Sequence, residues 1–130
     1  MLVNRWLEIE GFVDDYVIEK SLITFGRKSN IADLIDIQLD DQWVSKKHAH
    51  LMISNRDNKV YIFDGIDQTP SRNGTIVNGT VYRKFDIDYS KRGVELHHGD
   101  EITIGRTLIK YYEEYINEDN RQFNEYDTWL

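Results

Sequence analysis

The chain has 130 residues, with 16 Lys and Arg against 23 Asp and Glu, and a formal net charge of -7. That length suits one domain able to bury about two-thirds of its unfolded surface. With no cysteine, a disulfide frame, a thiolate zinc site and a Cys nucleophile are excluded, and the acidic balance argues against a general nucleic-acid binder, which must neutralise phosphates.

In chain order the apolar runs are short and close to period two. They are Trp6–Ile9, Ser21–Phe25, Ile35–Leu39, Ala49–Ile53, Lys59–Phe63, Thr75–Val77, Phe85–Tyr89, Gly93–Leu96, Glu101–Ile104 and Leu108–Tyr112. Each is rich in Ile, Val, Tyr or Phe and bounded by Gly, Asn, Asp or Ser, which predicts an all-β sandwich or barrel. A single helical turn is expected near 29–34, with Ser29 or Asn30 as its cap. Asn55–Asn58 reads as a hairpin loop, and Asn73-Gly74 and Asn78-Gly79 read as tight hairpin turns with positive φ. Residues 113–130 differ in composition and are read as an acidic extension containing aromatic residues.

Three loops collect the chemistry: Phe25–Lys28, Trp43–His48 and Ser71–Thr75 with Val77–Gly79. They hold Arg27, Lys28, Lys46, Lys47 and Arg72, five of the 16 basic residues, and no acidic one. Arg presents a planar fork to phosphate oxygens, Ser a hydroxyl donor and Lys a point charge, while glycine turns let backbone N–H groups approach an anion. The pattern predicts a local anion site in an acidic protein.

The ordered motifs Gly26-Arg27, Ser45-Lys46-Lys47-His48, Ser71-Arg72-Asn73-Gly74-Thr75, Asn78-Gly79, Gly99-Asp100 and Gly105 resemble the forkhead-associated (FHA) domain over about residues 20–112. The resemblance implies a two-sheet β-sandwich of about eleven strands, FHA/SMAD-like, occupying residues 1–112. It further implies a phosphothreonine-dependent protein-interaction module in signalling, with no enzymatic activity and no cofactor. By position Arg27, Ser45, Lys46, Arg72 and Asn73 would bind the phosphopeptide. Gly26, His48, Gly74, Thr75, Asn78 and Gly79 would brace the loops. The segments Arg27–Ser45 and Asp64–Ser71 look longer than the family's usual spacing, which bears on peptide preference.

Competing readings rest on weaker patterns. His48-Ala49-His50 with His97-His98 suggests a metal site, but no Cys or nearby carboxylate completes a familiar set, so no metal is expected. Ser45 and His48 suggest a hydrolase pair, without a nucleophile elbow to support it. A phosphate-independent scaffold, or weak self-association, would use the sandwich face or the extension. No run approaches the roughly 18 apolar residues of a membrane helix, and no apolar signal core follows Met1, so no membrane partner and a cytoplasmic location are expected. Residues 113–130 carry six acidic residues and one basic, a sum of -5, against -2 for the rest. The folded part is therefore nearly balanced, and its acidity does not oppose a small anionic ligand.

Overall fold

A computed structural model describes residues 2–30, 34–85 and 93–116. Among these residues eleven strands form two sheets: β1 (Leu2–Ile9), β2 (Tyr16–Val17), β3 (Leu22–Arg27), β4 (Ile37–Leu39), β5 (Ala49–Ile53), β6 (Val60–Asp64), β7 (Thr75–Val77), β8 (Thr80–Tyr82), β9 (Val94–Glu95), β10 (Glu101–Ile104) and β11 (Thr107–Ile116). One sheet has the order β2-β1-β11-β10-β7-β8, the other β4-β3-β5-β6-β9. All pairings are antiparallel except β3 with β4. This is the all-β sandwich expected from the short alternating runs.

Period-two alternation is what builds the core. Leu7 and Ile9 of β1, Ile102 and Ile104 of β10 and Ile109 and Tyr111 of β11 face inward from one sheet. Ile23 and Phe25 of β3, Leu51 of β5 and Ile62 of β6 meet them from the other. Each such side chain is worth about 1.5–3 kcal/mol when fully buried. Tyr111 is fully buried and donates its hydroxyl to Glu113 at 2.9 Å. Burial, aided by that carboxylate, pushes its ionisation far above the ordinary tyrosine range.

Several elements differ from expectation. β2 and β8 are additional, and β11 runs on to Ile116 because β1 pairs with it along its whole length, from Leu2↔Ile116 to Ile9↔Ile109. Asn78-Gly79 is the expected mirror-image turn, with φ of 49° and 85° joining β7 to β8. Asn73-Gly74 is not a hairpin turn: only Gly74 has positive φ, and the pair belongs to the loop entering β7. Residues 31–33 of the expected turn at 29–34, residues 86–89 of the expected strand Phe85–Tyr89 and residues 117–130 of the extension lie outside the described residues.

Candidate phosphate-binding cleft

Two inward-facing rows run past the core at one end of the sandwich. On β3 the row Ile23, Phe25 continues to Arg27, which is half-buried and reaches the end of the sheet. On β6 the row Val60, Ile62 continues to Asp64, which stays buried. The loops that cross this end are held by hydrogen bonds to these two strand ends.

The loop between β4 and β5 closes onto Arg27. Arg27 N–H donates to the Ser45 carbonyl at 3.0 Å, and His48 N–H to that of Phe25 at 2.9 Å. A Cβ on Gly26 would stand 2.1 Å from the Lys46 carbonyl oxygen, so only glycine permits this approach. Val44 anchors the loop in the core. Asp41 ties it to the β10–β11 turn, accepting from Arg106 N–H at 2.7 Å, the Thr107 hydroxyl at 2.8 Å and Trp43 N–H at 2.8 Å. Partial burial works against ionisation of Asp41, but these donors hold its carboxyl below the usual carboxylate range. Trp43 also carries the Arg106 guanidinium over its ring at 4.5 Å.

His48 is fully buried and uses both ring nitrogens. Nδ1 accepts from Ser45 N–H at 3.0 Å, so the proton sits on Nε2, which donates to the Gly74 carbonyl at 2.9 Å. It therefore joins the second and third loops and has no nitrogen left to activate the Ser45 hydroxyl. Burial, only partly offset by the Gly74 carbonyl and by Asp64 and Asp41, pushes its pKa below the ordinary histidine value. A proton lost on folding makes stability rise with pH in that window. Unfolding free energy is expected to fall as pH drops below about 6.5, the unfolded value, by at most about 1.4 kcal/mol per pH unit. Urea titrations from pH 7.5 to 5 would show this slope; its persistence in His48→Gln would assign it elsewhere.

The loop before β7 is held from below by Asp64, which accepts from the Ser71 hydroxyl at 2.5 Å, the Thr75 hydroxyl at 2.8 Å and Lys84 N–H at 3.0 Å. Ser71 Oγ accepts in turn from Gly74 N–H at 2.8 Å. At the top, Arg72 N–H donates to Ser45 Oγ at 2.8 Å, and the Asn73 amide donates to the Trp43 carbonyl at 3.0 Å. Farther out, Asn78 links the β7–β8 turn to Asp100 and Glu101, by 3.0 Å and 2.9 Å hydrogen bonds.

These contacts shape a cleft of about 590 Å³ whose walls include Arg27, Ser45, Lys46, Arg72 and Asn73. All five residues expected to bind the phosphopeptide are thus brought together. Gln42, Trp43, Lys47 and Thr69 also line it. No carboxylate does, and none of its four cations has an acidic partner among the described residues. Ser45 Oγ already accepts one hydrogen bond, which leaves its own proton to donate into the cleft.

A model of the FHA domain matches residues 23–105. The chain belongs to the FHA-domain family. Among solved structures it resembles the FHA domain of the CT664 protein from Chlamydia trachomatis, with 22% identity, 87% of this chain and 99% of that one covered, and a TM-score of 0.62. The yeast Pml1 splicing factor gives 21%, 88% and 82%, with a TM-score of 0.68. EmbR from Mycobacterium tuberculosis, solved with a low-affinity phosphopeptide, gives 22%, 84% and 24%, with a TM-score of 0.61. No curated protein matches the chain in sequence.

The histidines have separate duties in this FHA domain. His50 bonds the Gly65 carbonyl at 2.8 Å and stacks on Phe63 at 4.7 Å, while His97 lies beside Glu95 at 3.0 Å. Among the described residues no three candidate metal ligands come together.

Proposed function

We propose that this FHA domain is a phosphothreonine-dependent protein-interaction module. The observation that carries the reading is the cleft itself: four cations without acidic partners among the described residues line it together with a serine hydroxyl whose proton remains available to donate. A phosphothreonine brings about -1.5 to -2 charges and three strong acceptor oxygens. Arg27 supplies the fork and Ser45 the hydroxyl, both from positions held by hydrogen bonds of their backbone N–H groups, and Lys46 adds a point charge. Asn73, with its carbonyl oxygen still free among the described residues, takes a main-chain N–H of the bound peptide. Recognition of this kind forms and ends with the phosphoryl group and requires no bond-making by the domain. The structurally similar EmbR, solved with a phosphopeptide, supports the same ligand class.

Calorimetric titration with a phosphothreonine peptide library, each member paired with its unphosphorylated form, tests the reading. Two charge-assisted hydrogen bonds at about 1.5–3 kcal/mol each predict at least about a 100-fold preference for the phosphorylated form. Equal binding of the paired peptides, or no binding by any phosphorylated member, would refute it.

A further inference from the structure

The segment between β6 and β7 that looked too long in the sequence folds back on itself. Gly65 and Asp67 take left-handed conformations, with φ of 80° and 53°, and Ile66 and Thr69 exchange N–H to carbonyl hydrogen bonds at 2.9 Å each. A Cβ at Gly65 would stand 2.4 Å from the Thr69 carbonyl oxygen, so the return requires glycine. The turn delivers Thr69, exposed, to the wall of the cationic cleft. Its hydroxyl has no partner among the described residues, and Pro70, the chain's single proline, follows it. A free threonine hydroxyl ahead of proline, in a turn closed by two hydrogen bonds, is open to a proline-directed protein kinase at small cost in local opening.

We propose that Thr69 is a phosphorylation site whose phosphate occupies this chain's own cleft and closes it to phosphopeptides. The inference rests on the reading of the cleft as a phosphothreonine site. In the modifying step Thr69 Oγ attacks the γ-phosphorus of a nucleoside triphosphate held by the kinase. A new O–P bond forms, the bond to the bridging oxygen breaks, the nucleoside diphosphate leaves, and the hydroxyl proton passes to the kinase's base. The product places about two negative charges beside Arg27, Lys46 and Arg72, where no carboxylate among the described residues lines the cleft to compete for them. A ligand tethered this closely acts at an effective concentration on the order of millimolar. The same cations that recognise a partner's phosphothreonine are then neutralised in cis.

The test uses the full chain carrying phosphothreonine installed at position 69. A free phosphothreonine peptide that binds the unmodified chain is expected to bind this form at least about tenfold more weakly. The phosphorus resonance of the installed group is expected to titrate below the second pKa of about 6 of a free phosphothreonine, and to return toward it in an Arg27→Ala background. Unchanged peptide affinity, or a resonance that titrates as the free group does, overturns the proposal. So does an equal effect from phosphothreonine installed at position 80, which is exposed on β8 and outside the cleft lining. Incubation of the unmodified chain with a proline-directed kinase and ATP is expected to place phosphate on Thr69 in peptide mapping, and its absence there removes the acceptor role. Failure of the underlying reading has a different signature: the unmodified chain binds no phosphopeptide, while the phosphorus titration still reports whether the cations hold an anion.

Discussion

Arg27→Ala is expected to weaken phosphopeptide binding by about 100-fold or more, while the protein remains folded. Truncating one partner of a close charge pair typically costs about 2–5 kcal/mol, which spans roughly 30-fold to several thousand-fold. The loss concentrates on this residue because, of the four cations lining the cleft, it is the one carried on a strand. Its backbone is fixed by β4 on one side and by the Ser45 carbonyl on the other, and its half-buried side chain lines the cleft. Stability responds in the other sense. Arg27 has no acidic partner among the described residues and shares the cleft with Lys46, Lys47 and Arg72. Removing it relieves repulsion among like charges, so the melting temperature should stay level or rise slightly. Arg27→Lys keeps the charge but loses the fork, and an intermediate loss is expected. Calorimetry and thermal melting of both variants separate the outcomes; binding by Arg27→Ala at wild-type strength would remove Arg27 from the site.

Asp64→Ala is expected to lower the unfolding free energy by about 3–4 kcal/mol, the largest stability effect anticipated here. The carboxylate is buried and accepts from two hydroxyls and from the Lys84 amide. Its removal leaves these donors unsatisfied where water does not readily reach, at about 1 kcal/mol or more each. Because Ser71 and Thr75 bracket Arg72 and Asn73, phosphopeptide affinity should fall with it. Urea denaturation measures the first effect, and a loss under about 1 kcal/mol would show that the loop is held by other contacts. Asp64→Asn retains acceptor capacity on one oxygen and should lie between.

That Arg27, Ser45, Lys46, Arg72 and Asn73 would gather in one place was legible in the sequence, because fork, hydroxyl and glycine turns advertise their chemistry in any loop. Of the residues that hold them, His48, Thr75 and Asn78 were legible too, but the carboxylates were harder to read. Asp64 follows Val60 and Ile62 at strict period two, so a buried carboxylate was written in the alternation, yet nothing local showed what it would hold. Asp41 acts on Arg106 and Thr107, a contact across 65 residues of chain that no local pattern encodes. Thr69 reaches the cleft through a turn set by Gly65 and Asp67, and an aspartate with positive φ is invisible in composition. The same holds for strands. β8 could have been taken from the Asn78-Gly79 turn, whereas two-residue β2 exists only because β1 offers it an edge.

Leu2 and Ile116 are cross-strand partners, so the two ends of the described fold stand about 5 Å apart. The cleft lies at the other end of the same strands, near the Ile9↔Ile109 pair, a distance of about 25 Å for eight residues of strand. A host protein could therefore receive the unit as an insert in a single surface loop, opening that loop by no more than one strand spacing. The cleft would then point away from the host, and its geometry would not depend on which neighbour supplied the loop.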